Sequence, residues 1–309
     1  VGPTAQEAIA QLQNGSIALL ENLRFHAQEE RNDSSFARSL ADLADLYVND
    51  AFSCSHRAHT SVDRITQCLP AFAGPSLLAE IAALSSALES PRRPVIAIVG
   101  GSKVSSKLAV LENLVNKVDR LAIGGGMANT FLAAHGHTVG RSLLEVSQIE
   151  IVHAIEARAK QAGCQIILPR DVVTASAIYS DAPAKIVSID QVPDDEMILD
   201  IGPLSLADLE DQMADCRTIL WNGPLGAFEV HPFGEGTFAT ARLIADLTAS
   251  FGITSIAGGG DTVSALNAAG VTPTLTYVST AGGAFLEWLE GKRLPGIAAL
   301  VAERPKEKF

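Results

Sequence analysis

The sequence predicts an α/β protein in which a parallel sheet is covered by helices on both faces. Two observations carry this. Short β-branched apolar runs recur along the chain and stop at glycine, and Ala/Leu-rich stretches with apolar residues at i, i+3 and i+4 lie between several of them. Strands that do not alternate with polar residues suit a sheet buried on both faces, and strand–helix alternation gives a doubly wound sheet. A third observation points at a ligand: the glycines fall at the carboxyl ends of strands, where such sheets bind small molecules.

Taken in order, SIALLENLRF (16–25) and DLYVNDAF (45–52) read as strands, with a helix, SSFARSLADLAD (34–45), between them. PSLLAEIAALSSALES (75–90) reads as a helix closed by PRRP (91–94), and the domain boundary is placed there. The strands that follow are VIAIVGG (95–101), RLAIGGG (120–126), QIILPRD (165–171), MILDIGP (197–203), TILWNGP (218–224), SIAGGG (255–260) and LTYVSTAGG (275–283). KLAVLENLVNKV (107–118) and GTFATARLIADLTA (236–249) are the clearest helices between them.

The 309 residues suffice for two domains, and 47% hydrophobic with 19% charged residues is ordinary for a soluble enzyme. A net charge of −12 argues against nucleic-acid binding, which needs a basic stripe, but not against small anions held by a few local cations. No apolar run reaches the ~18 residues of a membrane span, and no signal peptide opens the chain. Cys54, Cys68, Cys164 and Cys216 form no C-x-x-C and read as reduced thiols of a cytoplasmic protein. The tail AERPKEKF reads as solvated. Val1 in place of Met fits either processing or the cut edge of a longer protein.

AGGGDTVSALNAAG (257–270) leads glycines into a helix, the arrangement that receives a phosphate, yet places Asp261 where a phosphate-binding loop would carry Lys and Ser/Thr. GGSKVSSK (100–107) follows a strand, and on a helix Lys103 and Lys107 would share a face and reach one anion; two solvated lysines are the alternative. In WNGPLGAFE (221–229), Glu229 is placed to accept from ribose hydroxyls, or is an idle surface acid. ENLRFH (21–26) and SHRAH (55–59) gather Arg24, His26, His56, Arg57 and His59 into an anion pocket. The H-x-x-H spacing lacks a third metal ligand, and HGH (135–137) reads as a loop. Walker A, G-x-G-x-x-G, G-x-S-x-G and the protein-kinase motifs are absent.

ENLRFH, NDAFSCSHRAH, GGSKVSSK, GGGMANTF, LDIGP, WNGPLGAFE, GGGDT and STAGGAFLEWLEGKRLPG, in this order, resemble the phosphoglycerate kinase family from about residue 15 to about residue 300. The resemblance implies two Rossmann-like domains joined by a helical hinge: a glycerate-binding remnant at 1–74, the hinge at 75–93, a nucleotide-binding domain at 94–285, and a C-terminal helix and tail, 286–309, returning to the first domain. It implies Mg²⁺-dependent, reversible phosphoryl transfer between 1,3-bisphosphoglycerate and ADP, giving 3-phosphoglycerate and ATP in glycolysis. The expected setting is a cytoplasmic monomer with no membrane or nucleic-acid partner.

Carried onto matching positions, Arg24, His56 and Arg57 hold the glycerate. Gly101, Gly125, Gly126 and Ile198 line the adenine slot, Gly223 and Leu225 flank the nucleoside, and Glu229 takes the ribose. Lys107, Gly259, Gly260 and Thr262 meet the phosphates, Asp261 binds magnesium, and Lys103 with the amides of Gly282 and Gly283 meets the phosphoryl group in flight. Asp261 as a helix N-cap is the alternative compatible with an unliganded state.

The family's usual three glycines are here Ala281-Gly282-Gly283, a small change if φ at Ala281 is negative. Its R-V-D-F-N-V-P and S-H-L-G-R-P motifs are missing, so the expectation is a chain truncated at the front by roughly three βα units, which leaves turnover by this polypeptide open. A non-catalytic nucleotide-binding fragment and a Rossmann-type dehydrogenase are the alternatives. The second lacks its glycine fingerprint and leaves the lysines and GGGDT unexplained.

Overall fold

The computed structural model describes residues 1–301, so the tail AERPKEKF and the end of the expected 286–309 segment lie outside the described residues. The chain divides into two compact units, Val1–Ile81 with the segment from Lys292, and Ala82–Gly291.

In the first unit, helix α1 (Pro3–Ala10) is followed by a short turn of helix, α2 (Ala27–Glu30), and by α3 (Ser34–Ala41). α3 begins where Asp33 accepts hydrogen bonds from the N–H groups of Ser35 and Phe36, the usual N-terminal cap. Strands β1 (Tyr47–Asn49) and β2 (Ala71–Ala73) form a two-stranded parallel sheet. Phe36, Leu40 and Ile65 make the core of this unit, with Leu23, Tyr47 and Leu69 packed against them. Helix Pro295–Val301 belongs here, and the Gly296 N–H donates to Ser55 O at 2.9 Å.

The run 16–25 is not a strand. Residues 16–21 are exposed and irregular, and Leu23–Phe25 form a single 3₁₀ turn. Its apolar residues meet no sheet edge among the described residues, and without ladder partners an extended segment leaves its backbone groups to water.

The boundary between the units falls within α4 (Pro75–Leu88). The second unit then runs β3 (Val95–Val99), α5 (Leu108–Leu114), β4 (Arg120–Ile123), α6 (Gly125–Ala134), α7 (Ile149–Ala162), β5 (Gln165–Ile167), β6 (Asp171–Ala175), β7 (Lys185–Ser188), β8 (Met197–Ile201), α8 (Pro203–Met213), β9 (Thr218–Asn222), α9 (Glu235–Phe251), β10 (Thr254–Gly258), α10 (Gly260–Ala268), β11 (Tyr277–Ser279) and α11 (Gly283–Leu289).

Six strands form an all-parallel sheet in the order β11-β10-β9-β3-β4-β5. Chain order reverses on either side of β3 and β9, the switch point at which doubly wound sheets bind ligands. Every residue of VIAIV and TILWN is buried, as central strands covered on both faces require. Ile96, Ile98, Ile219 and Trp221 pack with Leu209, Met213 and Ile244 of the covering helices. The Trp221 indole N–H finds Gly223 O at 2.8 Å, so this fully buried ring leaves no donor unpaired.

MILDI departs from the expected arrangement. It is β8 of a separate antiparallel sheet, ordered β7-β6-β8, and not a strand of the parallel one. QIILPRD likewise splits: QII ends the large sheet and Asp171 begins β6.

Candidate active site

At the carboxyl ends of β3, β4 and β9, the second unit holds a cleft of ≈ 250 Å³. Its lining combines the backbone of Gly101, Gly125 and Gly126 with the apolar side chains of Ile198, Leu199 and Leu225, the last of which accepts the Gly125 N–H on its carbonyl at 3.0 Å. Three carboxylates stand among its lining residues: Asp200, which is buried, and Glu229 and Asp261, which are exposed. The strand ends meet closely. A Cβ at Gly100 would run into the Pro224 carbonyl, and Gly223, at φ +102°, packs against the Gly100 carbonyl. Only a residue without a side chain accepts that backbone at that distance.

Lys107 lies just before α5 with its ammonium turned inward. Nζ donates to Gly100 O (2.6 Å), Asn222 O (3.0 Å) and Asn222 Oδ1 (2.7 Å). Burial lowers its pKa to about 8, with the Asp261 charge opposing. Asn222, buried at the end of β9, also donates from Nδ2 to Gly258 O at 2.7 Å, so one side chain ties Lys107 to the end of β10.

Gly260 opens α10, Gly259 is its N-cap residue, and Asp261 sits inside the first turn. The alternative of Asp261 as N-cap is therefore corrected: the glycine before the helix occupies that position and no side chain caps it. No hydrogen bond reaches the Asp261 carboxylate among the described residues, whereas buried Thr262 accepts the Gly223 N–H on Oγ1 at 2.7 Å. A hard divalent cation takes one or two protein carboxylates and completes its shell with phosphate and water, so this donor set fits a nucleotide-bound magnesium.

Asp200, in β8, also lines the cleft and is buried against the start of α9. It accepts from the Gly236 N–H (2.8 Å) and the Ile201 N–H (2.9 Å). Burial raises its pKa to about 7 against those bonds, and Glu235 adds to the rise.

In the first unit, Thr60 and Glu29 pin the SHRAH loop. Thr60 Oγ1 donates to Gln28 O at 2.9 Å, and Glu29, buried, accepts from the Ser61 N–H (3.1 Å) and the Ser61 hydroxyl (2.5 Å). Arg57 Nε lies 3.3 Å from His56 Nε2. The pKa of His59 is lowered, by burial first; Glu29 opposes this, and the charges of Arg24 and Arg57 add to it.

A family model described as "Phosphoglycerate kinase" matches residues 1–292. The phosphoglycerate kinase of Granulibacter bethesdensis is 55% identical over 302 residues, covering 98% of this chain and 76% of that protein. That of Methylobacterium radiotolerans is 56% identical over 303 residues with the same shares. The solved phosphoglycerate kinase of Coxiella burnetii is 45% identical, with a TM-score of 0.86 over 90% of this chain and 71% of that one. The chain belongs to the phosphoglycerate kinase family. Its activity is the family's, that of a transferase and kinase of glycolysis, and its fold is the family's two-domain α/β architecture.

Of the residues matched to the family's motifs, Gly101, Gly125, Gly126, Ile198, Leu225, Glu229 and Asp261 line one cleft. Lys103, Lys107, Gly223, Gly259, Gly260 and Thr262 are not among its lining residues. Gly282 and Gly283 begin α11. Ala281 is not among the residues of positive φ, so the substitution for glycine costs no backbone strain.

The shared helical face of Lys103 and Lys107 is corrected. α5 starts at Leu108, the Lys107 N–H closes a turn onto Val104 O at 2.9 Å, and Lys103 is exposed on that turn. Asn222 and Asp200 were missed, although each is a polar residue ending or interrupting an apolar strand (TILWN, MILDI), the one signal that marked them.

Proposed function

We propose that the second unit binds ADP or ATP as its magnesium complex and the first binds 3-phosphoglycerate or 1,3-bisphosphoglycerate, for reversible transfer of one phosphoryl group. The observation that carries this is the cleft itself, with glycine backbone, apolar side chains and the carboxylates of Glu229 and Asp261 all among its lining residues. The bare backbone of Gly101, Gly125 and Gly126, with the apolar side chains of Ile198 and Leu225 in the same lining, suits a purine ring, and Glu229 is the acceptor for ribose hydroxyls. Asp261 would hold magnesium, whose chemistry is to neutralise charge on the phosphates.

Lys107 serves the phosphates. Its Nζ rests on neutral amide and carbonyl oxygens, and a phosphate offers a charged acceptor in their place. The Gly259 and Gly260 amides and Thr262 flank the same helix end, and Lys103 with the Gly282 and Gly283 amides meets the transferring group. Arg24, His56 and Arg57 take the acid's carboxylate and phosphate. The nucleophile in the ATP-consuming direction is a carboxylate, ionised at pH 7, so no general base is required. Positioning and charge neutralisation do the catalytic work. The four free cysteines accord with a cytoplasmic setting, and a monomer is the state we infer.

Lys103→Ala tests the assignment in an assay with ATP and 3-phosphoglycerate. The expected result is a kcat lowered by about 10²–10³-fold with the nucleotide KM nearly unchanged, because the contact strengthens only in the transition state. A change confined to KM contradicts that role.

A further inference from the structure

The exposed Lys103 turn is closed locally, by the Lys107 N–H on Val104 O (2.9 Å) and the Ser106 hydroxyl on Lys103 O (2.8 Å), and is tied to the rest of the unit by a carboxylate from elsewhere. Glu145 lies on the segment between α6 and α7. Its Oε2 accepts the Ser105 N–H at 3.0 Å and its Oε1 the Ser105 hydroxyl at 2.5 Å, with the Val104 N–H directed at the same group. Both oxygens are thus taken by the turn. The Lys103 charge is close enough to favour the ionised carboxylate, but no ion pair joins the two among the described residues. The carboxylate fixes the backbone and leaves the ammonium free.

The other side of the same segment is fastened to the cleft. The Glu145 N–H donates to Thr130 Oγ1 (3.2 Å) and Asn129 Nδ2 to Leu143 O (3.2 Å), both from α6. The Ile198 N–H of β8 donates to Ser142 Oγ at 2.8 Å. Asn129, Leu143 and Ile198 all line the cleft. Residues 142–145 therefore run as a strap from the wall of the cleft to the turn that carries Lys103.

We propose that Glu145 is a positioning residue for Lys103, setting the place of the Lys103 turn against the cleft wall through Ser105. This rests on the reading that Lys103 meets the transferring phosphoryl group. A hydrogen bond made in both ground and transition states does not by itself speed the reaction. Its contribution is to hold a charge where the transition state needs it, and a displacement of ~1 Å there lowers rates by up to about a hundredfold.

The test compares the whole chain with Glu145→Ala, Lys103→Ala and the double variant, by kcat and nucleotide KM, and follows hydrogen exchange of residues 102–107. Glu145→Ala is expected to lower kcat by about ten- to a hundredfold at near-constant KM. It should speed exchange at Val104 and Ser105, leave the amides of β3 protected, and add nothing to the kcat loss once Lys103 is gone. Glu145→Gln, which keeps one acceptor oxygen, should fall between. The proposal is overturned if exchange at 102–107 does not rise, if kcat is unchanged, or if the loss persists in full without Lys103, which is the mark of a merely structural contact. Lys103→Ala without effect on kcat would instead remove the reading beneath it, a result separable from the exchange data.

Discussion

The Lys107 ammonium has three oxygen partners and a pKa pushed down to about 8 by burial. Below that pH it is charged and ready for a phosphate; above it the charge is lost. The sign for folding is opposite. Between about 8 and the ordinary value of 10.5 the unfolded chain binds the extra proton, so this residue's contribution to stability improves as pH rises through that window. Nucleotide affinity should therefore fall as pH passes about 8 while stability does not. Lys107→Arg, which stays charged, should abolish that fall, as calorimetric titrations from pH 7 to 9.5 would register. An identical fall in the arginine variant would assign it to another group. Lys107 was legible in the sequence because GGSKVSSK follows a strand, but its partner Asn222 was not, since strand pairing alone brings TILWN beside VIAIV.

At the scale of elements, the start of α9 is held by a buried acid. Asp200 reaches the Gly236 N–H, and its carboxyl is pushed up to about 7. Between its ordinary value of 3.8 and about 7 the folded chain binds more protons than the unfolded one, so this group's contribution declines as pH rises across that range and is level above it. Asp200→Asn should flatten that limb of a denaturant-stability profile between pH 5 and 8; an unchanged profile would show that the carboxyl titrates normally. The central strands were legible because burial on both faces removes polar residues from their sequence. MILDI was misplaced because an apolar run does not say which sheet it joins, and pairing with β6 puts it in the antiparallel one. SIALLENLRF failed for a related reason: apolar content makes a strand only where an edge is available to pair with it.

For the whole molecule, the match over residues 1–292 and eight motifs in order make the family secure, and the chain's acidity, −12 overall, makes its few clustered cations conspicuous. The two units divide within α4, ahead of PRRP, and the charges of Arg24 and Arg57 reach His59 on a loop pinned by Thr60 and Glu29, which no spacing announces. The central claim is that the second unit's cleft takes a magnesium nucleotide, with Asp261 as the carboxylate for the metal. Calorimetric titration of the chain with ADP, with and without Mg²⁺, tests it most directly, with Asp261→Asn beside it. The account predicts binding that tightens with Mg²⁺ in the native chain and loses that dependence in the variant. A chain folded by circular dichroism that binds no ADP, or binds it equally with and without the metal, would contradict it.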